Sequence, residues 1–282
     1  MAKKVVGLYG DIASQSPFNS DQLFIEVSNH HVACIVKMSA KNTFGAIEVF
    51  HFNSNEENWY DIFQTIRSKS RILDRGYIDT RVFYNLPETV IVPFTKFTSD
   101  AADGYLQLMH GDNGNAVIKY DEVKVTPSLV VAYKIRRAIS DTVNSNLMMI
   151  TTRHTFSYII EDVLSPTRPY NHTLLKVQFY NKEMTIALVH NEQLLLIQTY
   201  EQNMPEDALY YMLNVLQQYN LPTEEATIEL SGNIEVKTPL YDKIKRVFPK
   251  ISFCNLDDAF VFATDFQDYP KHYLTPYFNL VK

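Results

Sequence analysis

At 282 residues the chain has room for two domains of ordinary size, and with 46% hydrophobic and 13% aromatic residues it can fill their cores, which excludes a disordered protein. A net charge of −6, with no run of lysine and arginine, argues against nucleic acid as the main partner. No apolar stretch reaches the roughly 18 residues that a membrane-spanning helix needs, so no transmembrane segment is expected.

Met1-Ala2-Lys3-Lys4 is basic, but the apolar run after it, Val5-Val6-Gly7-Leu8-Tyr9-Gly10, is too short for a secretory core. Residues 1–20 read as irregular and end in Ser16-Pro17-Phe18-Asn19-Ser20. Three strand-like segments follow over 22–28, 32–38 and 44–52, with turns at Asn29-His30-His31 and at 39–42. Ser54-Asn55-Glu56-Glu57 has the spacing of a capping box, opening a helix with the apolar stripe Trp59, Ile62, Phe63, Ile66. A strand is expected at 81–84. Next come a strand at 89–93, a helix at 99–110, and two strands at 116–125 and 128–135. A helix at 136–144, a strand at 147–152 and a helix at 155–164 lead to the linker Ser165-Pro166-Thr167-Arg168-Pro169.

Beyond the linker the first pattern returns. Strands at 174–180, 184–190 and 194–200 precede a helix opening at Pro205, with the stripe Leu209, Met212, Leu213, Leu216 and a stop at Asn220-Leu221-Pro222. A strand at 227–230, a helix at 241–248 and a strand at 250–254 complete it. The last stretch, 269–282, carries Tyr269, Tyr273, Tyr277 and Phe278 with Leu274 and Leu280. Pro270 and Pro276 interrupt any helix there and no cationic face is present, so packing on its own domain is expected rather than a membrane-surface foot.

The two halves register as copies. Ile25-Glu26-Val27-Ser28-Asn29 matches Val177-Gln178-Phe179-Tyr180-Asn181, and Val32-Ala33-Cys34-Ile35-Val36 matches Met184-Thr185-Ile186-Ala187-Leu188, both at a spacing of 152. The two helix stripes match at a spacing of 150. The fold class is therefore α/β, with a duplicated β-β-β-α-β-α-β unit. The expected lobes are 1–152, carrying an inserted strand-helix-strand-strand subdomain at about 89–135, and 153–282.

Glycine is scarce. There are 8, where average usage of about 7% gives roughly 20, and beyond Asn115 only Gly232 remains. Phosphate loops need glycine so that the backbone can approach the phosphates and take positive φ, so this chain has little material for them.

The duplicated unit resembles the actin-like ATPase superfamily, which includes sugar kinases and the heat-shock chaperone ATPases. Its insertion looks like the small extra subdomain of the bacterial divisome and pilus-assembly actin homologues. The chain also resembles a bacterial domain family of unknown function with this fold. The resemblance covers about 22–254 and implies ribonuclease H-like domains, each a five-stranded mixed sheet with helices. In that superfamily the first phosphate loop places Asp at a strand end with Gly two residues on, positions that look like Glu26 and Ser28. The second loop's Asp and Gly look like Gln178 and Tyr180. The adenosine motif, a strand followed by a glycine pair, looks like Leu230-Ser231-Gly232-Asn233, with one glycine kept.

These replacements weaken a nucleotide site. Glu26 keeps a carboxylate that could orient water on a metal; the alternative is a strand-end acid facing solvent. Gln178 is uncharged and suits Mg²⁺ less well, and the Tyr180 phenol stands where a β-phosphate would meet backbone. Ser231-Gly232-Asn233 reads more readily as a strand-to-helix turn needing positive φ than as a remnant of the purine clamp. A ribonuclease H-like nuclease would need converging carboxylates, and Glu26 and Asp61 find no acid at Phe83-Tyr84-Asn85 to join them. Adjacent His30-His31 point to opposite faces of extended backbone, poor geometry for zinc. Cys34 and Cys254 lie in apolar strands, as buried thiols of a reducing compartment. No catalytic residue and no metal ligand is assigned. The expectation is a cytoplasmic, non-catalytic scaffold with a vestigial nucleotide cleft, no cofactor, and a protein partner engaged through the insertion. The alternative is a divergent ATPase or kinase using ATP and magnesium in the cleft between the lobes.

Overall fold

Continuous apolar runs such as Val32-Ala33-Cys34-Ile35-Val36 mark strands buried on both faces. In the computed structural model, which describes residues 2–10, 18–38, 43–53, 58–112, 114–167, 172–254 and 269–281, they form the middle of two sheets. The first half comprises β1 (Lys3–Tyr9), β2 (Phe18–Ser28), β3 (His31–Met38), β4 (Thr43–His51), α1 (Trp59–Lys69) and β5 (Gly76–Asn85). The insertion follows as β6 (Thr89–Pro93), two short 3-10 turns, α2 (Ala102–His110), β7 (Ala116–Val123) and β8 (Leu129–Arg136). Then come α3 (Arg137–Asn146), β9 (Ile150–His154) and α4 (Thr155–Val163). The second half runs β10 (Thr173–Phe179), β11 (Glu183–His190), β12 (Gln193–Glu201), α5 (Pro205–Gln218), β13 (Thr227–Gly232), α6 (Pro239–Val247), β14 (Lys250–Phe253) and α7 (Thr275–Phe278).

Strand order shows the duplication. The first sheet runs β1-β4-β3-β2-β5-β9 and the second β12-β11-β10-β13-β14. In each, three strands pair antiparallel through short turns and the next two join parallel after a helix. The insertion forms its own sheet, β6-β8-β7. The chain divides into two compact units, one built mainly from 1–157 and the other mainly from 158–256.

The helix stripes bury as their spacing predicts. Trp59, Ile62, Phe63 and Ile66 are buried on α1, and Met212 and Leu216 on α5, where Leu209 and Leu213 pack at the margin of the core. Asn58 caps α1, its side chain accepting from the Tyr60 N–H at 3.0 Å. The Ser54-Asn55-Glu56-Glu57 box, the turn at 39–42, and Arg168 and Pro169 of the linker lie outside the described residues.

Two expectations are corrected. Residues 1–20 are not irregular throughout, because β1 pairs antiparallel with β4, Gly7 opposite Glu48, making the first sheet six-stranded rather than five-stranded. β1 is held by Lys4, which donates to Glu48 Oε1 at 2.6 Å, and by the Tyr9 hydroxyl on the same oxygen. Pro276 does not prevent a helix but sits in the first turn of the short α7, where its missing N–H costs nothing. Leu274, Tyr277 and Phe278 are buried around it, and α7 packs on β13. Among the described residues no helix is long and apolar enough to cross a membrane.

Candidate functional site

The candidate residues fall in two groups, one in each unit. Glu26 and Ser28 alternate along β2 and so share a face. The hairpin turn at Asn29-His30 brings His31, the first residue of β3, opposite Ser28. The N–H groups of His30 and His31 both donate to Ser28 Oγ at 3.0 Å. The Ser28 hydroxyl proton is then left for His31 Nδ1, 2.7 Å away. His31 therefore carries its own proton on Nε2 and donates it to Glu26 Oε1 at 3.0 Å. Asn85, beside Ser28 on the parallel strand β5, donates to the same oxygen at 2.8 Å.

Glu26, Ser28, His31 and Asn85 are all inaccessible to solvent. Glu26 is thus not the solvent-facing strand-end acid that one reading allowed. Its Oε1 is committed to internal bonds, and Oε2 is buried with no hydrogen-bond partner among the described residues. Chemically the array is a closed relay that pins a hairpin: the only hydroxyl is saturated and shielded. Asp61, named for the nuclease reading, lies on the first turn of α1 with its side chain exposed.

In the second unit the candidates come together around one strand pair. β10 and β13 run parallel with Gln178 beside Ser231 and Phe179 beside Gly232. Tyr180 is buried, donates its hydroxyl to Gln178 Oε1 at 3.3 Å, and meets the Tyr277 ring edge-on at 5.9 Å. Gly232 has φ of +82°, and a Cβ there would lie 2.0 Å from the Phe179 carbonyl oxygen. The approach is close because the Asn233 N–H donates to that same carbonyl at 2.9 Å. Gly232 therefore has a full backbone reason to be glycine. Ser231 is buried with its hydroxyl unpartnered among the described residues.

Sequence reasoning missed His31 and Asn85. The signal for His31 was present: a two-residue turn makes Ser28 and His31 a cross-strand pair, on the face that already carries Glu26. It also missed the anchor of the insertion. Asp121 of β7 accepts from the His154 N–H and the Ser157 hydroxyl, both at 2.6 Å, and from the Tyr133 hydroxyl at 3.3 Å. Burial outweighs these bonds and raises the Asp121 carboxyl above its ordinary value. Burial also pushes His154 down to about 3, and its neutral ring bonds the Leu86 carbonyl through Nε2 while Nδ1 accepts from the Phe156 N–H. Among the described residues, no group of three His, Cys, Asp or Glu side chains is placed to hold a metal ion.

Residues 14–251 match the family described as "Protein of unknown function (DUF3822)". The chain belongs to that family. No curated protein matches it. A Bacteroides thetaiotaomicron protein "with actin-like ATPase fold and unknown function" is similar at TM-score 0.73 and 16% identity, covering 84% of this chain and 91% of the other. The PilM–PilN type IV pilus biogenesis complex gives a chain similar at TM-score 0.59 and 10% identity, with 92% and 96% covered. At these identities the likeness establishes the fold: this family member has the actin-like ATPase fold.

Proposed function

We propose that this protein is a non-catalytic scaffold or adaptor of actin-like fold, working in the cytoplasm, whose nucleotide site is degenerate. Its two lobes divide near residue 152, and a protein partner docks on the insertion at about 89–135. The observation that carries the reading is Tyr180. Where the fold family keeps a glycine free for phosphate, this ring is buried against Tyr277 and its hydroxyl is spent on Gln178. The first loop supports the same reading, since Glu26 and Ser28 bond to His31 instead of standing open. The insertion supports the docking role: Leu108 is 83% exposed and Met109 64% exposed in the last turn of α2, with Phe94 and Tyr120 also exposed. The two buried thiols, Cys34 and Cys254, suit a reducing compartment.

The test is thermal unfolding with and without saturating Mg-ATP, with ADP and GTP as companions. A nucleotide at 100 times its dissociation constant would stabilise the native state by about 2.7 kcal/mol, a shift of several degrees. No shift with any of the three is the expected result. A clear shift with Mg-ATP, lost with Gln178→Ala, would sink the scaffold reading and favour a divergent ATPase or kinase that uses ATP and magnesium.

A further inference from the structure

The second sheet leaves an edge to a strand without the usual protections. β12 reads Gln193-Leu194-Leu195-Leu196-Ile197-Gln198-Thr199-Tyr200-Glu201, with no proline, lysine or arginine. Edge strands ordinarily carry such residues to block unwanted pairing. Among the described residues nothing pairs with its outer side.

The first half treats the matching edge differently. Val49 stands to Ala33 as Thr199 stands to Thr185, so β4 corresponds to β12 and Glu48 to Gln198. β1 lies antiparallel on β4, and Glu48 is buried beneath the bonds from Lys4 and Tyr9. Gln198, with no such strand over it among the described residues, is exposed. Among the described residues the same sheet edge is covered in one copy and open in the other.

Hydrogen-bond parity defines the open stretch. The Gln202 N–H donates to the Lys182 carbonyl at 2.7 Å. Following the antiparallel register, Gln198 and Tyr200 turn their backbone groups toward β11, and Ile197, Thr199 and Glu201 turn theirs outward. Upstream, a register shift bends the pairing and the Tyr219 hydroxyl occupies the Leu195 carbonyl at 2.8 Å. The free edge is therefore 197–201.

We propose that this edge is a strand-pairing surface on which a second copy of the chain seats its own β12, antiparallel, about a two-fold axis through Thr199. A two-fold contact uses the same patch on both copies, and this patch complements itself. In that register outward-facing residues meet outward-facing residues, Thr199 against Thr199 and Ile197 against Glu201. The one charge of the stretch thus meets an apolar side chain and not its own copy. Thr199 already shares a hydroxyl bond with Thr185 at 3.0 Å, so the pairing continues a threonine row across the axis. The ladder adds about six backbone bonds. A contact this small gives a dimer that forms at micromolar concentration rather than an obligate one.

The experiment is sedimentation equilibrium of the full chain from about 1 to 200 μM, with amide exchange measured at both ends of the range. The unmodified chain is expected to dimerise with concentration, slowing exchange at Ile197, Thr199 and Glu201. Gln198→Lys places two like charges diagonally across the axis, and Glu201→Pro removes an outward N–H while sparing the β11 ladder. Each is expected to raise the dimer dissociation constant about tenfold or more without lowering the unfolding temperature. Three results would overturn the proposal. They are a monomer at every concentration, a dimer that neither variant weakens, and edge amides equally protected at the lowest concentration, which would mean that another part of the same chain covers the edge.

Discussion

Replacing Gly232 by alanine tests whether that glycine serves the backbone or a ligand. The new Cβ would sit 2.0 Å from the Phe179 carbonyl oxygen, about 1 Å inside any tolerable contact, and 2.9 Å from the carbonyl carbon. Neither atom belongs to a flexible side chain. Relief requires β10 and β13 to part where the Asn233 N–H and the Phe179 carbonyl bond at 2.9 Å. The φ of +82° adds about 1–2 kcal/mol for any residue with a Cβ, and the steric displacement about 1–3 kcal/mol more. The expected loss is about 2–5 kcal/mol, from a total stability of roughly 5–15 kcal/mol. Urea unfolding followed by circular dichroism reads this as a lower midpoint with an unchanged slope. Asn233→Ala, whose backbone N–H is retained, should cost under about 1 kcal/mol. A Gly232→Ala protein within about 1 kcal/mol of the parent would refute the close-approach argument and return the glycine to a ligand role.

Three further outcomes follow from the buried polar groups. His31→Leu should cost about 2–4 kcal/mol by leaving Glu26 and Ser28 without their shared partner, and Glu26→Leu combined with it should cost about 1–3 kcal/mol less than the sum of the single changes in a double-mutant cycle. His154, held down to about 3 by burial, keeps its ring neutral in the fold while the unfolded chain titrates near 6.5. Its contribution is full above the unfolded value and is lost as pH falls toward 3, so urea stability at pH 4.5 should drop by about 2–3 kcal/mol more in the parent than in His154→Asn. Burial alone would lower the pKa of Lys176, but Glu229, Cys254 and Asp162 outweigh it and raise the ammonium well above its ordinary value, with Asp162 at 2.9 Å and Glu229 closer still. That contribution is present below the unfolded value of about 10.5 and is lost only as pH rises through the folded pKa, so Lys176→Met should cost about 3–5 kcal/mol at neutral pH, and a gap that does not narrow in strong alkali would refute the assignment.

The elements with strong periodicity were legible. The α1 and α5 stripes, the central strands and the strand-helix-strand-strand insertion all appear close to where apolar spacing puts them. β1 was not, because only Val6 of its residues is buried and its charged start, Lys3-Lys4, looks like an N-terminal tail. What secures β1 is Glu48, far along the chain, and no local pattern reports that. The same limit holds at the candidate site. The positive φ of Gly232 could be anticipated from its place after a strand, but the approach of the Phe179 carbonyl depends on parallel register. Lys176 stands out as a charge within an apolar strand, whereas its partners Asp162 and Glu229 come from different elements.

The proposed degeneracy of the site and the stability of the two hairpins have a common physical basis. A phosphate loop must leave backbone N–H groups and a carboxylate open at a strand end, which burial penalises unless a ligand arrives. In the first half those groups close on one another: the His30 and His31 amides on Ser28, His31 on Glu26, and Asn85 on the same carboxylate. In the second half the Tyr180 ring packs edge-on against Tyr277, and the corresponding turn is tied by the Tyr180 N–H to the Glu183 carbonyl at 2.9 Å. The chemistry differs while the effect is shared, since each solution turns polar groups of the hairpin onto internal partners and adds packing, with Glu26 Oε2 left unpartnered among the described residues. A ligand would have to break those bonds before making its own, so each internal bond that stabilises the hairpin lowers affinity at the same position by a similar amount. Under the proposed scaffold reading, which frees both hairpins from holding a nucleotide, that conflict does not arise.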